Sequence, residues 1–327
     1  MELKSLSILM LVQENQAQDR SFLYKCLKQY FELDFYFLTK EEQANLKNFF
    51  NNHIEISKYD RIILDLRFKK EIRQVLFLRT IPNLIVWEYD AWMNYTKDSK
   101  YFGKFSRYYE LVKPKRIISS GFNVAKKLSH EGYDCRFIPK AYDDNLLKDM
   151  GHKRDIELGF IGRTKSSVYL KRRQFLEEIS TKYGLSILRT NPGNEYSEAL
   201  NRIKYFISCD YDMGEYMIKN FEAMACGCIL FAFDQGEQEN NIIGLKNMVN
   251  VVLYKDINDF EDKLEIIRSD NILAANIKRS GQRLAQSKRS FSITAKEAAT
   301  IIIEPIKNKS QVKISNLWLK AKLLPYF

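Results

Sequence analysis

The chain has 327 residues, 45% of them hydrophobic and 13% aromatic, with only 13 Gly and 6 Pro. That length suits two domains, and the composition excludes a disordered, collagen-like or mucin-like chain. Lys and Arg outnumber Asp and Glu by 52 to 41, a formal charge of +11 that favours an anionic partner such as a phosphate-bearing ligand or a phospholipid surface.

No apolar run approaches the ~20 residues of a membrane-spanning helix. Met1–Val12 reads as a first strand, because its apolar stretch runs into Gln13, Glu14 and Asn15 without the cleavage site of a signal peptide. Ser7–Val12 then opens an alternation of strand and helix: Arg20–Tyr30 (helix), Leu33–Leu38 (strand), Glu41–Phe50 (helix), Arg61–Leu66 (strand) and Lys69–Leu78 (helix). Asn83–Glu88 and Arg116–Ser120 are further strands, Phe122–Glu131 a helix, and Asp134–Ile138 a strand. The stretch Pro139–Arg154 breaks the periodicity and is expected to link two domains.

The alternation restarts with Asp155–Ile161 (strand), Val168–Tyr183 (helix), Leu185–Leu188 (strand) and Glu195–Ile203 (helix). Tyr205–Cys209 (strand), Ile218–Cys226 (helix), Cys228–Phe233 and Val249–Leu253 (strands) follow, then helices Ile257–Arg268, Asn271–Gln286 and Ile293–Ile303. Such order predicts an α/β fold of two doubly wound, Rossmann-like domains facing a cleft, with ligands beyond the carboxyl ends of the strands. The expected divisions are 1–140, a linker at 141–154, 155–303, and a tail at 304–327.

Cys26, Cys135, Cys209, Cys226 and Cys228 lack zinc spacing and read as buried thiols of a reducing compartment, and His53, His130 and His152 are scattered. No metal site is expected. Zinc-finger, RNA-recognition and basic-zipper patterns are missing too, so nucleic acid is not an expected partner.

Two segments carry chemistry. In Leu158-Gly159-Phe160-Ile161-Gly162-Arg163 an apolar strand ends at a glycine where a backbone can approach a ligand, and cations follow at Arg163, Lys165, Lys171, Arg172 and Arg173. A glycine turn leading into a helix offers free N–H groups to phosphate. No G-x-x-x-x-G-K-S/T or G-x-G-x-x-G pattern occurs, which argues against a P-loop enzyme or a nicotinamide dehydrogenase. The second segment, Lys219 to Leu230, is a helix carrying Glu222 that becomes small and apolar, stops at Gly227 and enters a buried strand. Asp210-Tyr211-Asp212 has the form of a metal-binding D-x-D, a pattern common by chance. Trp87-Glu88-Tyr89-Asp90 ends a buried strand, where Asp90 is placed either to cap the following helix or to position or deprotonate a bound hydroxyl. Trp87, Tyr89, Trp92 and Tyr95 are candidates for stacking on a sugar or for the core.

The run Phe221-Glu222-Ala223-Met224-Ala225-Cys226-Gly227 before an apolar strand resembles the nucleotide-sugar site of group 1 GT-B glycosyltransferases, most closely the spore-maturation-type (CgeB-like) branch. Phe160-Ile161-Gly162, Lys171-Arg172-Arg173 and the stretch from Ser280 to Ile303 match in order, so the likeness runs from about Ile117 to Ile303. It implies that Glu222 holds the ribose hydroxyls and that Gly162 and Arg163 meet the diphosphate. Lys165 and Arg172 would support them, with Lys219, Asn220 and Phe221 completing the donor-binding set. The family's earlier glutamate falls at Gly214 here, one residue from Glu215, which becomes the second catalytic candidate beside Asp90.

The implied activity is metal-independent, hexosyltransferase-like transfer from a nucleoside-diphosphate sugar to a glycan or lipid-linked glycan, without a cofactor, in bacterial surface polysaccharide synthesis. An epimerase acting on nucleotide sugars and a non-catalytic binding or scaffold protein are the alternatives. Lys307–Phe327 carries five lysines and no acid among Leu317, Trp318, Leu319, Leu323, Leu324, Tyr326 and Phe327. That pattern suits an anionic membrane interface, and equally a tail packed on the protein. The expected location is the cytoplasm, peripheral to the inner face of the plasma membrane.

Overall fold

A computed structural model describes residues 6–14, 20–165 and 169–306. The basic, aromatic tail from Lys307 onward therefore lies outside the described residues. The chain divides into two compact units. The first comprises Met1–Ser120, Val124–Ile138 and Ala295–Phe327, and the second Gly121–Asn123 and Pro139–Thr294.

In the first unit, chain order gives β1 (Ser7–Gln13), α1 (Ser21–Leu27), β2 (Glu32–Leu38), α2 (Lys40–Ala44), α3 (Leu46–His53), β3 (Arg61–Asp65), α4 (Phe68–Glu71), α5 (Val75–Leu78) and β4 (Leu84–Glu88). Then come α6 (Lys104–Val112), β5 (Arg116–Ser119), α7 (Phe122–His130) and β6 (Cys135–Phe137). The six strands form a parallel sheet in the order β2-β1-β3-β4-β5-β6. Ile8 to Val12 in β1 are wholly enclosed, as continuous apolar strands must be when both faces of a parallel sheet are covered.

Three details differ from the expected pattern. The helix expected over Glu41–Phe50 is two, because Thr39 forms a capping box with Glu42 to start α2, and Asn45 accepts from Asn48 N–H to start α3. The helix expected over Lys69–Leu78 is two single turns, α4 and α5, with Gln74 between them bonding Gln43 and Lys70 carbonyls and the Leu46 N–H. The unexpected α6 buries Phe105, Tyr108, Tyr109 and Val112, an i, i+3, i+4, i+7 stripe.

In the second unit the elements are β7 (Ile156–Ile161), α8 (Leu170–Tyr183), β8 (Ser186–Leu188), α9 (Asn194–Arg202), β9 (Ile203–Ser208), α10 (Ile218–Ala225) and β10 (Ile229–Phe233). They continue with α11 (Glu237–Ile243), β11 (Val252–Tyr254), α12 (Ile257–Ser269), α13 (Asn271–Lys288) and α14 (Phe291–Ile303). The sheet is again parallel, ordered β11-β10-β9-β7-β8. Phe175, Tyr254 and Phe260 pack ring on ring at its centre, with Phe175 and Tyr254 stacked 5.1 Å apart. The irregular stretch after Pro139 is tied to this unit by Asn201, which bonds Met150 N–H and Lys148 O, and by Arg154, which donates to Ile203 O and Cys226 O.

From Ala295 the last helix belongs to the first unit. There the wholly buried Arg116 pairs with Asp134 at 2.9 Å and donates to the carbonyls of Ile301, Glu304 and Pro305. Ile301 lies in the last turn of α14 and Glu304 and Pro305 follow it, so the guanidinium supplies donors at the point where helical N–H groups run out. Arg116→Met strips four oxygens of their donor at once. We expect a loss of about 3 kcal/mol or more, read as a lower unfolding midpoint in urea.

Candidate functional site

In both sheets the second strand lies to one side of the first and the third to the other. The order therefore reverses between β1 and β3 in the first unit, and between β7 and β9 in the second. Ligands of open α/β sheets bind beyond the strand carboxyl ends at such a reversal. In the second unit that position is formed by Gly162 and Arg163 after β7 and by Cys209 and Asp210 after β9.

Gly162 is required by close packing. A Cβ there would fall 2.7 Å from Cζ of the Phe160 ring. Next to it, Lys219 in the first turn of α10 donates to Ile161 O at 2.5 Å and lies 5.5 Å over the Tyr196 ring. One turn further on, Glu222 is 4% exposed and accepts from the Tyr196 hydroxyl at 2.5 Å. Lys219 thus joins the helix that carries Glu222 to the turn that carries Arg163. Burial pushes the Glu222 carboxyl above its ordinary value, against the Tyr196 hydrogen bond and the charge of Lys219. Burial also lowers the Lys219 ammonium to about 8, opposed by Glu222 and aided by Arg172 and Arg189. Arg163 and Lys165 are exposed, and their side chains make no hydrogen bond or ion pair among the described residues.

The small residues after Glu222 have a geometric cause. Gly227 has φ +77°, Cys228 N–H bonds Ala223 O and Gly227 N–H bonds Met224 O, the Schellman ending of a helix. A side chain at Gly227 would also collide with the Asp149 carboxylate.

Other expected site residues are placed differently. Arg172 is buried and fully engaged: Nε donates to Cys209 O, Nη1 to Arg163 O and Nη2 to Asp210. It fixes the two turns of the site and does not offer a free fork to phosphate. Asn220 is enclosed and bonds Asp210 through Nδ2, while its Oδ1 has no partner among the described residues. Phe221 is wholly buried and packs within the unit, so it presents no surface to a ligand. Glu215 is 1% exposed and held by Lys140 Nζ at 2.6 Å, which removes it from the role of an accessible catalytic carboxylate.

Asp210 serves as a hub. Besides Arg172 and Asn220 it accepts from Ser208 Oγ and from Met217 N–H, so its carboxylate orients the entry to α10. Asp212 pairs with Lys171 at the surface. Among the described residues no cluster of three His, Cys, Asp or Glu is grouped as a metal site requires. All five cysteines are buried thiols, none of them in a disulfide.

In the first unit Asp90 is exposed just past β4, and its N–H and that of Tyr89 both donate to Glu88 Oε1. Trp87 and Trp92 are 2% and 4% exposed, which makes them core groups; Tyr89 and Tyr95 are half-buried. Tyr95 donates to Glu131.

Sequence reasoning missed Tyr196, Arg189 and the Lys140–Glu215 pair. Arg189 follows the apolar strand Ser186–Leu188 as Arg163 follows Ile156–Ile161, so its position was readable. Tyr196 lies on a polar helix with no pattern to mark it.

Residues 146–299, just under half of the chain, match the family described as Glycosyl transferase-like. The structure is similar to HepE of Anabaena in complex with UDP-glucose, at 12% identity and TM-score 0.65, covering 91% of this chain and 99% of that one. A glycosyltransferase from Rickettsia africae is 9% identical with TM-score 0.60 over 92% of this chain and 98% of its own. TarM of S. aureus, in complex with fondaparinux, alpha-GlcNAc-glycerol and UDP, is 12% identical with TM-score 0.55, over 79% of this chain and 58% of that one. No curated protein sequence matches the chain. The chain has the α/β fold of GT-B glycosyltransferases.

Proposed function

We propose that this protein is a glycosyltransferase that moves a sugar from a nucleoside diphosphate to a glycan or lipid-linked glycan, in bacterial surface polysaccharide synthesis. The observation that carries the reading is the Lys219 bridge, which gathers a buried carboxylate, a half-buried lysine and the Gly162–Arg163 turn at the β7/β9 reversal. A carboxylate accepts two ribose hydroxyls well, and fixed cations suit a diphosphate. The match of residues 146–299 and the UDP-glucose seen in the Anabaena protein support it. The likeness of Phe221–Gly227 to the CgeB-like branch supports a place there.

In the proposed reaction the acceptor oxygen bonds the anomeric carbon as that carbon's bond to the diphosphate breaks. The hydroxyl proton passes to a basic group or to water, and the charge developing on the diphosphate is met by Arg163, Lys165 and Lys219 in place of a metal ion. No cofactor takes part. Incubation with a panel of nucleoside-diphosphate sugars and glycan acceptors is expected to release nucleoside diphosphate only when an acceptor is present. A product formed from donor alone would indicate an epimerase. Nucleotide binding without turnover would favour a non-catalytic protein, a reading to which the locked Lys140–Glu215 pair lends weight.

Donor affinity is expected to depend on pH in a bell. It falls above about 8 as Lys219 loses its proton, and falls again in acid as the raised Glu222 carboxyl takes one up. Titration of nucleoside-diphosphate binding from pH 5 to 10 checks both limbs. A flat profile through pH 8 contradicts the role of Lys219.

The tail supports peripheral attachment to an anionic membrane at the cytoplasmic face, where lipid-linked acceptors are presented. Among the described residues no helix is long and apolar enough to cross a membrane. Deletion of Lys309–Phe327 is expected to lower partitioning onto phosphatidylglycerol vesicles in a flotation assay, and unchanged partitioning contradicts the attachment.

A further inference from the structure

The same reversal of strand order in the first unit, between β1 and β3, carries an arrangement that the donor site does not use. Gln13 closes β1, Asp65 closes β3, Arg67 follows two residues later, Arg20 precedes α1, and Tyr89 follows β4, so all five stand at strand carboxyl ends. Arg20 is 9% exposed, donates to Asp65 at 2.8 Å, and lies 4.0 Å over the Tyr89 ring. Tyr24 donates to the other Asp65 oxygen at 2.7 Å. The Asp65 charge is therefore spent inside the unit, and Arg20 with Tyr89 forms a fixed, neutralised wall.

Arg67 is different. It is half-buried, and its Nε donates to Gln13 Oε1 at 2.5 Å, while Nη1 and Nη2 have no partner among the described residues. A guanidinium held by Nε alone has its plane set and its terminal fork left open, which matches the two oxygens of a phosphate or carboxylate. Lys69 and Lys70 follow it in sequence, and among the described residues Glu14 after β1 and Asp90 after β4 are exposed acids at this edge.

We propose that the β1/β3 reversal of the first unit is an anion subsite in which Arg67 grips a phosphate or carboxylate of the acceptor, oriented by Gln13 and backed by Arg20 and Tyr89. This rests on the sugar-transfer reading only in calling the ligand an acceptor. The acceptor is then an acidic molecule, either a polyprenyl phosphate or a glycan ending in a uronic acid.

The test is equilibrium binding of citronellyl phosphate and of a glucuronate-terminated disaccharide to the full chain, beside Arg67→Gln, Arg67→Lys and Arg163→Gln. One of the two probes is expected to bind wild-type protein and to weaken about tenfold or more in Arg67→Gln, as the loss of a charge-assisted pair implies. Arg67→Lys, which keeps the charge without the fork, is expected to fall between them, and Arg163→Gln to bind as wild type. Which probe responds tells phosphate from uronate.

The proposal is overturned if neither probe binds, if Arg67→Gln binds as wild type, or if the loss follows Arg163→Gln instead. If nucleoside diphosphates do not bind while the Arg67-dependent affinity persists, the donor reading fails and the anion subsite stands.

Discussion

Glu222→Ala is expected to abolish transfer while leaving the protein folded. Two ribose hydroxyls lose a charged acceptor, and each such bond contributes about 1.5–3 kcal/mol, so turnover at limiting donor falls about 10²- to 10⁴-fold. The fold tolerates the change because a buried carboxylate that burial has already pushed upward is costly to keep charged, and its removal offsets the stranded Tyr196 hydroxyl. Glu222→Gln keeps the volume and an acceptor for Tyr196 but loses the charge, and is expected to fall between alanine and wild type. Transfer assays at limiting donor, with melting temperature as the control for folding, decide the matter. Wild-type-like transfer by Glu222→Ala with unchanged nucleotide affinity would remove Glu222 from the site.

Lys219→Met is expected to separate stability from function. Burial lowers this ammonium from its ordinary 10.5 to about 8. At neutral pH the folded chain therefore carries a charge whose burial costs about 3 kcal/mol, at 1.36 kcal/mol per pH unit. Methionine removes that cost and fills the space, but leaves Ile161 O without its donor, a loss of about 1–2 kcal/mol. The net expectation is a gain of about 1–2 kcal/mol, several degrees in melting temperature, beside a loss of diphosphate affinity of about tenfold or more. Because the folded value lies below the unfolded one, the gain is complete below pH 8 and fades as pH rises toward 10.5. A variant that melts lower than wild type at pH 7 contradicts this account.

Much of the fold could be read in advance because doubly wound sheets write themselves into sequence. Ile8–Val12, Ile62–Leu64 and Leu84–Val86 are buried strands with no polar alternation, so short apolar runs between helical stretches leave few other solutions. The helix at Lys104–Val112 escaped because its core stripe is built of Tyr and Phe, residues that also suggest a ligand surface. The break at Asn45 escaped because the amides it frees are taken up by side chains, Asn48 N–H by Asn45 and Leu46 N–H by the distant Gln74, which no local pattern marks.

Within the candidate site, Gly162 and Arg163 at a strand end and Lys219 on a first helical turn are legible from local pattern, while Glu222, one turn further on, is marked by the resemblance of Phe221–Gly227. Their partners are not. Tyr196 reaches Glu222 from 26 residues away and Lys140 reaches Glu215 from 75, distances over which only the tertiary fold makes neighbours. Arg172 was read as a supporting cation from its charge and the resemblance, and that charge is consumed by Asp210 and two carbonyls.

The Arg116 clamp bears on the order in which the chain matures on the ribosome. Residues that complete the second unit are all synthesised by Thr294, whereas the oxygens that enclose Arg116 arrive only with Ile301 to Pro305. The part made first is thus the part finished last, and a nascent chain halted before residue 301 would lack all three carbonyls and leave Arg116 with Asp134 to answer it.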